Sequence, residues 1–206
     1  MIGGMSGGAP AAVTAGKPEA EDASRATANA AMERYAAGDD GAFSELYDAL
    51  APRLHHFLVR QTRDESRADD LLQQTMLQIH CARGRFLQGA EVLPWAFAIA
   101  RRLLIDSYRR RKHEVVTGAD PAGDATSPHQ PVDDRLHSLR LAQDVERELA
   151  RLPEAQRIAF ELVKREGLSM KEAAQVLGTT VTAIKLRAHR AYVALRAALG
   201  DSFDQS

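Results

Sequence analysis

The sequence predicts an all-α protein with two small helical domains joined by a flexible linker. Aromatic residues make up only 5% of the 206 residues, and Ala, Leu and Arg are abundant, a composition that favours helices over strands. Apolar residues recur at three- and four-residue spacing in residues 29–112 and again in residues 138–200. The stretch between them, residues 113–137, is rich in Pro, Gly and acidic residues, which is typical of a linker.

The first domain follows a stretch that has no apolar pattern. Residues 1–28 are rich in Gly, Ala and Pro, so we predict a disordered N-terminal tail; residues 201–206 form a C-terminal tail. A helix over residues 30–37 is predicted to end at the Gly-Asp-Asp-Gly sequence 38–41. The next helix begins at Ala42, and Pro52 either kinks it or opens a second helix. Its inward positions follow helical spacing: Phe43, Leu46, Tyr47, Leu50, Leu54, Phe57 and Leu58.

A third helix is predicted after a break at residues 62–66. Its inward positions are Ala68, Leu71, Leu72, Thr75, Met76 and Ile79, and its outward positions are Asp69, Asp70, Gln73, Gln74 and Gln78. Asp70, Gln73 and Gln74 share one face because they are three and four residues apart. Such a face is often only solvated, but clustered carboxylates and amides also suit a polar contact with another protein. The residues alone leave both interpretations open.

The longest predicted helix of this domain follows a loop over residues 84–89. Pro94 opens it, since Pro is favoured in the first turn of a helix. Six cations then follow within four turns: Arg101, Arg102, Arg109, Arg110, Arg111 and Lys112. Like charges at this density repel one another unless a polyanion binds. The alternative is a core helix with an apolar stripe through Trp95, Ile99, Leu103 and Tyr108 and a solvated basic rim.

The second domain has the plan of a helix-turn-helix at its C-terminal end. Amphipathic helices over residues 139–152 and 153–163 come first. Ser169 then caps a short helix, Gly178 supplies a tight turn, and Thr180 caps a basic helix. With Ile184 and Ala188 inward, the side chains left to point outward are Thr182, Lys185, Arg187, His189 and Arg190. An ordinary helical hairpin with a solvated basic face is the alternative.

The distribution of charge indicates a polyanionic partner. The formal net charge is only −1, yet residues 178–200 carry four cations and no acid. Charge concentrated in this way is typical of a surface that meets a polyanion. Two separated basic helices therefore indicate one DNA duplex contacted at two places.

Several classes of function are disfavoured by the sequence. The single cysteine, Cys81, makes no internal disulfide, and the adjacent His55 and His56 point about 100° apart on a helix, so we expect no metal site and no cofactor. No phosphate-binding glycine loop or nucleophile motif occurs, so we do not expect an enzyme. A signal peptide and a long apolar stretch are also absent, which predicts a cytoplasmic protein. The rival classes are a one-component helix-turn-helix regulator with an N-terminal sensing or dimerising domain, and a non-DNA interaction protein.

Four motifs in a fixed order carry a resemblance to a known family. They are residues 68–79 (ADDLLQQTMLQI), residues 95–102 (WAFAIARR) with Asp106 and Arg109-Arg110, the sequence Leu152-Pro153-Glu154, and the helix-turn-helix. In this order and spacing they resemble an extracytoplasmic-function (ECF) sigma factor of the sigma-70 family, over residues 30–200. The resemblance implies sigma region 2 in residues 29–112 and sigma region 4 in residues 138–200, and a protein that recruits bacterial core RNA polymerase to promoters without catalysis of its own.

The resemblance also implies a role for particular residues. The positions matching the helix that docks on the β′ clamp of the polymerase are Asp70, Leu71, Gln73, Gln74 and Thr75. The loop 85–90 matches the stretch that captures a flipped base of the −10 element, and the helix 95–112 matches the part that opens it; the residues concerned are Arg85, Phe86, Gln88, Trp95, Arg101, Arg102, Arg109 and Arg110. The −35 recognition helix is matched by residues 180–192, with Thr180, Thr182, Lys185, Arg187, His189 and Arg190 as its DNA contacts.

The chain departs from the family pattern at a few positions. Gln74 and Met76 stand where Glu and Phe are common, Arg102 replaces a common Asn, and Leu186 replaces a small polar residue of the recognition helix. The promoter preference therefore cannot be carried over. The resemblance implies as partners the β′ clamp and β flap of core polymerase, promoter DNA, and an anti-sigma factor that holds the protein inactive. A membrane-bound anti-sigma factor would tether it to the membrane without direct insertion.

Overall fold

The structure, a computed structural model, describes residues 16–116 and 134–200, with side chains described for residues 22–111 and 143–200. Every regular element in these ranges is helical. The first part of the chain forms α1 (Gly16–Ala36), α2 (Ala42–Thr62), α3 (Glu65–Ala82), a 3-10 turn (Arg83–Arg85) and α4 (Val92–Val116). The second part forms α5 (Asp134–Arg151), α6 (Glu154–Phe160) continued by a π-helical turn (Glu161–Arg165), α7 (Met170–Leu177) and α8 (Val181–Leu199). The predicted all-α class is thereby confirmed.

Helix α1 extends into the segment for which the sequence predicts a disordered tail. It begins at Gly16, and Ala28 within it is only 1% exposed. Ala31, Met32 and Tyr35 continue this buried side and pack into the same core as α2. The sequence conceals this stripe because half of its four residues are alanines. Residues 1–15 and 201–206 lie outside the described residues.

The other element bounds follow from local capping. Arg63 adopts a left-handed conformation (φ 54°) that ends α2, and the Asp64 side chain caps α3 by accepting a hydrogen bond from the Arg67 N–H at 3.1 Å. Helix α2 passes through Pro52 as one continuous helix. Helix α4 begins at Val92, two residues before Pro94, and continues to Val116, beyond residue 112. Most of the predicted linker, residues 117–133, lies outside the described residues.

The buried stripe of α4 differs from the one that the sequence analysis considers. Its buried positions are Val92, Leu93, Pro94, Ala96, Phe97, Ala100 and Leu104. Trp95, Ile99 and Leu103 are only partly buried and pack at the edge of this core, while Tyr108 is 40% exposed. Small alanines on the buried side allow close approach of α3 and α7, which the search for large apolar residues overlooks. The partly buried aromatic Trp95 is therefore accessible from the surface.

The second domain folds as the predicted helix-turn-helix. Ser169 and Glu172 form a capping box at the start of α7: the Glu172 N–H donates to Ser169 Oγ at 3.2 Å, and the Ser169 N–H donates to Glu172 Oε2 at 2.6 Å. Gly178 ends α7 in the left-handed conformation (φ 60°). Thr180 Oγ1 caps α8 by accepting from the Ala183 N–H at 3.1 Å. Ile184 is fully buried between α7 and α8.

The two domains share one hydrophobic core in the described part of the chain. Leu162 and Leu168 of the second domain belong to the same buried cluster as Leu58 and Phe97 of the first, and α7 packs against α4. Polar groups cross the same boundary, since Arg25 of α1 bonds to the Glu172 carboxylate and donates to the Gly167 carbonyl at 3.1 Å.

A buried cluster of acidic and basic side chains completes this contact. Glu161 and Glu166 are 1% and 4% exposed and face the α2 side chains of Arg60 and Gln61. Gln61 Nε2 donates to Glu161 Oε2 at 2.5 Å, and Arg60 pairs with both carboxylates. Burial raises the pKa of Glu161, and the positive charges of Arg60, Arg165 and Arg157 oppose that rise. The two domains thus meet through buried ion pairs, in which Arg60 of one domain offsets the cost of burying Glu161 and Glu166 of the other.

Candidate functional site

The exposed face of α3 is the first candidate surface. Asp70, Gln73 and Gln74 are all exposed and lie on one side of the helix, as predicted. Leu71 and Thr75 are not on this surface: they are 3% and 0% exposed, and Thr75 Oγ1 donates to the Leu71 carbonyl at 2.6 Å. Both side chains pack in the core, so Asp70, Gln73 and Gln74 are the residues of this motif that the helix exposes.

A groove of about 820 Å³ runs beside this face. Its lining comes from α1, α2 and α3 and from the loops that join them: Tyr35, Asp40, Phe43, Tyr47, Asp69, Asp70, Leu72, Gln73, Met76, Leu77, His80 and Arg83. Tyr47 and Leu77 are 41% and 58% exposed, so they add an apolar element to the polar face. The helical spacing of α2 predicts a core position for Tyr47, and the predicted outward face of α3 omits Leu77. An apolar residue at an outward helical position was the signal that could have found it.

The loop between α3 and α4 is the second candidate surface. Arg85 and Gln88 are exposed, and Phe86 is partly buried with its ring 5.2 Å from that of Trp95. Leu87 is 75% exposed, the most exposed large apolar side chain that the structure describes. Two aromatic rings beside an exposed cation can stack on and hold an unpaired base.

The cations of α4 continue this surface along the helix. Arg102, Arg109 and Arg110 are exposed, whereas Arg101 is partly buried. Asp106 lies 3.9 Å from Arg109, an i,i+3 pair with both side chains largely solvated, so it neutralises little of the cationic row. The first turns of α4 also meet the second domain: Trp95 and Ala98 line a groove of about 590 Å³ whose opposite wall is α7.

Helix α8 carries the third candidate surface. Thr182, Lys185, His189 and Arg190 are exposed on one face, and Arg187 is partly buried at its edge. Thr180 is exposed, but its hydroxyl already caps the helix. Leu186 and Val193 lie on the same face at 48% and 49% exposure. Leu186, a departure from the family pattern, is thus part of the exposed surface. A row of cations, hydroxyls and apolar groups without an acid matches what the major groove presents.

The first helix of the helix-turn-helix is held by Glu172. Burial alone would raise the pKa of this carboxyl, but the hydrogen bonds from the Ser169 backbone and side chain, with the charge and hydrogen bond of Arg25, outweigh it and lower the pKa. The ionised form is therefore the one that fits this position, and it fixes α7 against both Ser169 and α1.

The described residues offer little support for other kinds of site. No group of three or more His, Cys, Asp or Glu within them is arranged to hold a metal ion. Cys81 is exposed and free. No helix in the described ranges combines the length and apolarity needed to cross a membrane.

Two parts of the chain match family descriptions. Residues 46–114 match sigma-70 region 2, and residues 142–195 match sigma-70 region 4. The region 2 match covers the part of the chain where a one-component regulator would carry its sensing or dimerising domain. That rival interpretation is therefore not favoured.

Similar proteins cover most of the chain. The RNA polymerase sigma factor CarQ of Myxococcus xanthus is 37% identical over 82% of this chain and 96% of its own. The ECF RNA polymerase sigma factor SigM of Mycobacterium tuberculosis is 33% identical over 93% of this chain and 91% of its own. Among solved structures, the sigma factor RpoE in complex with the anti-sigma factor NepR from Bartonella quintana is 27% identical with a TM-score of 0.64, covering 77% of this chain and 97% of that one. The match to CnrH in complex with the cytosolic domain of CnrY has 25% identity and a TM-score of 0.62, covering 83% and 96%.

Sigma factors are transcription initiation factors that bind core RNA polymerase and promoter DNA. The order of the two matched regions, the extent of the similar proteins and the helix-turn-helix with its acid-free face all agree. This chain belongs to the sigma-70 family of RNA polymerase sigma factors, in its ECF group.

Proposed function

We propose that the three exposed surfaces divide the work of promoter recognition in a cytoplasmic, non-catalytic initiation factor. The α3 face of Asp70, Gln73 and Gln74 contacts the β′ clamp of the polymerase. The loop 85–90 and the exposed cations of α4 hold the −10 element, and the exposed face of α8 contacts the −35 element. The second domain also contacts the β flap.

One observation carries this proposal: the same chain exposes a polar α3 face beside an apolar groove and, separately, two acid-poor cationic helices. Carboxylates and amides around an apolar groove suit a protein partner. Arginines beside paired aromatic rings suit an unpaired strand, and a cationic helix after a tight turn suits duplex DNA. A single-site DNA-binding module would have no use for the first two surfaces.

The experiment is run-off transcription with purified core polymerase and the full chain, on promoter fragments that this holoenzyme selects from random duplex DNA. Changing Arg102 and Arg110 to Ala should leave −35 duplex binding nearly unchanged and reduce permanganate reactivity of thymines near −10. Changing Lys185 and Arg190 to Ala should weaken −35 duplex binding and leave thymine reactivity near −10 nearly unchanged. The slope of the logarithm of the binding constant against the logarithm of salt concentration should become less steep by roughly 0.9 for each phosphate contact removed.

One control variant makes the result interpretable. Lys164→Ala removes an exposed cation from outside the three surfaces and should leave both measurements unchanged. If the α4 pair weakened −35 duplex binding as strongly as the α8 pair while opening stayed intact, the proposed division would be wrong. Failure of the wild-type chain to bind core polymerase at all would reject the function itself.

We also propose that an anti-sigma factor holds the protein inactive by covering the groove beside the α3 face. RpoE has been solved with the anti-sigma factor NepR, and RpoE is similar to this chain over most of its length. The partner and core polymerase should therefore compete for Leu77 and Gln73. A photo-crosslinking residue placed at Leu77 should capture core polymerase in the absence of the partner and the partner when it is in excess. Capture of polymerase that an excess of partner does not reduce would contradict the proposal.

A further inference from the structure

Helix α1 precedes the segment that matches sigma-70 region 2, which begins at residue 46. Its side chains nevertheless contact the α3–α4 loop, defined here as residues 83–91. This loop contains Arg85, Phe86 and Gln88, the residues that we assign to the −10 base. The contacts are hydrogen bonds made by polar side chains, so they fix the distance and direction between α1 and the loop.

The first contact fixes the C-terminal part of the loop. The Gly89 N–H donates to Glu33 Oε1 at 2.8 Å. Gly89 has φ 76°, the left-handed region that favours glycine, and an added Cβ would meet nothing within 4 Å. The residue is thus glycine for its backbone conformation and not for lack of space. The Glu33 carboxylate holds the amide of that turn.

The second contact fixes the end of the loop and the start of α4. Asn29 Oδ1 accepts the Val92 N–H at 2.9 Å, so a side chain from α1 caps α4. The other atom of the same amide, Asn29 Nδ2, donates to Glu91 Oε2 at 3.1 Å. Asn29 therefore ties the last loop residue to the first helical residue.

The beginning of the loop is also tied to α1. Arg83 Nη1 donates to the hydroxyl of Tyr35 at 3.2 Å, and its guanidinium lies 4.8 Å from the centre of the Tyr35 ring. Between these fixed points Arg85, Leu87 and Gln88 are exposed. The loop is anchored at both ends by α1 and open in the middle, an arrangement that preorganises a binding surface.

We propose that α1 is the positioning element of the α3–α4 loop, and that Asn29 and Glu33 set the geometry in which Arg85, Phe86 and Gln88 hold an unpaired base. They act through the loop backbone and do not touch DNA. The inference rests on the −10 role proposed above for the loop. A loop free to sample other conformations would lose entropy on binding, and this loss would weaken its preference for one base.

The test uses holoenzyme reconstituted from core polymerase and the full chain. The probe is a library of single-stranded non-template oligonucleotides randomised over about ten positions. The variants are Asn29→Ala with Glu33→Ala, Glu33→Ala alone, and the conservative change Glu33→Gln, which keeps the acceptor oxygen for the Gly89 N–H. Asp22→Ala serves as the control, because it removes an exposed acid from α1. Thermal unfolding shows whether each variant is folded.

The alanine pair should lower the preference at the most selective base position roughly tenfold, as expected for the loss of one or two hydrogen bonds. Opening of a duplex built from the selected sequences should fall with it, while −35 duplex affinity stays as in the wild type. The conservative variant Glu33→Gln should keep base preference within about twofold of the wild type, and the control Asp22→Ala should not differ from the wild type. Hydrogen exchange at the Gly89 amide should accelerate in Glu33→Ala and not in Glu33→Gln.

Three results would overturn the proposal. An unchanged base preference in the alanine pair, with loss of preference in Arg85→Ala, would show that the loop binds the base without help from α1. Loss of −35 duplex binding in parallel with base preference would assign Asn29 and Glu33 a general stabilising role. If Arg85→Ala and Phe86→Ala also selected like the wild type, the −10 assignment of the loop would fail, and the inference with it.

Discussion

Exposure of single side chains decides which residues of α3 are available to a partner. Asp70 and Gln73 are exposed, while Thr75, in the next turn of the same helix, is fully buried and bonded to the Leu71 carbonyl. A change at Thr75 would act on the core, and a change at Asp70 would act on the surface. Experiments that treat all residues of this motif alike would confuse loss of binding with loss of fold.

We expect Asp70→Arg with Gln73→Ala to abolish binding of core polymerase and to leave the fold intact. The first change reverses a charge at the contact, and the second removes its hydrogen-bonding neighbour, which together should weaken binding by at least about a hundredfold. Binding is measured by co-purification and by competition with wild type, and the fold by circular dichroism.

The matched control for this pair is Asp48→Arg, which reverses an exposed acid of α2 outside the groove lining. It should bind polymerase like the wild type. If the α3 pair bound core polymerase with unchanged affinity and native helicity, docking would have to lie elsewhere on the protein.

At the level of single elements, the sequence predicts helices better than their ends and faces. Periodicity and caps locate α3, α7 and α8 closely, since Asp64, Ser169 and Thr180 are strong capping residues at those ends. The buried face of α4 is missed because it contains alanines, whose small side chains carry little periodic signal. The start of α1 is missed for the same reason.

Some of the exposed residues of the candidate site could also be predicted from the sequence. The polar face of α3 and the cationic face of α8 follow from helical spacing alone. Tyr47 could not be found in this way, because its position on α2 follows the spacing of the core residues, whereas Leu77 occupies an outward position of α3 and could have been found from that spacing. The contacts of Glu33 and Asn29 with a loop about 60 residues away are not encoded in any local pattern.

The capping box of α7 gives a pH-dependent prediction at this scale. The pKa of Glu172 is lowered from 4.5, so its carboxylate stabilises the fold at pH values above 4.5 and loses this contribution as pH falls through the lowered folded-state pKa. Glu172→Gln should therefore cost about 1 kcal/mol of stability at pH 7, and much less at pH values below the lowered pKa of Glu172, where the carboxyl of the wild type is also neutral. Thermal unfolding against pH measures this difference.

An exposed acid at the first turn of the preceding helix offers the comparison. Glu154→Gln should change stability little at either pH, since Glu154 is exposed. A constant difference between Glu172→Gln and wild type across the whole pH range would show that the charge of Glu172 is not what holds α7.

On the scale of the whole molecule, the shared core makes the two domains one cooperative unit. Each helix shows from its own sequence that it buries a face, but not which partner buries it, so the contact between α4 and α7 is visible only in the structure. The buried acids Glu161 and Glu166 depend on Arg60 from the other domain. We expect full-chain unfolding to occur in a single transition.

Removing Arg60 tests this unity. Arg60→Ala leaves two buried carboxylates short of a cation and should lower stability by about 3 kcal/mol. Because burial already raises the pKa of Glu161 and Arg60 is the strongest opposing charge, the loss should be larger at pH 7 than near pH 4, where the carboxyl is closer to neutral. Urea unfolding at both pH values measures it.

The control removes an arginine of a solvated pair. Arg34→Ala breaks an ion pair with Glu45 in which both side chains are about half exposed, and it should change stability by less than about 1 kcal/mol. Two separate unfolding transitions, with Arg60→Ala shifting neither, would show that the domains are energetically independent.

The shared core has a consequence for residues 117–133, which connect two ends held in place by the domains. The sequence predicts a flexible linker here, and the entropic cost of closing such a chain grows only with the logarithm of its length, so doubling its 17 residues would cost about 0.6 kcal/mol. Insertions in this segment should therefore weaken the association of the domains only slightly. The loss of stability expected for Arg60→Ala is several times larger than the loss expected for doubling the segment. Relatives could vary the length of this segment widely and keep the same closed packing, whereas they could not vary the few charged side chains that cross the boundary.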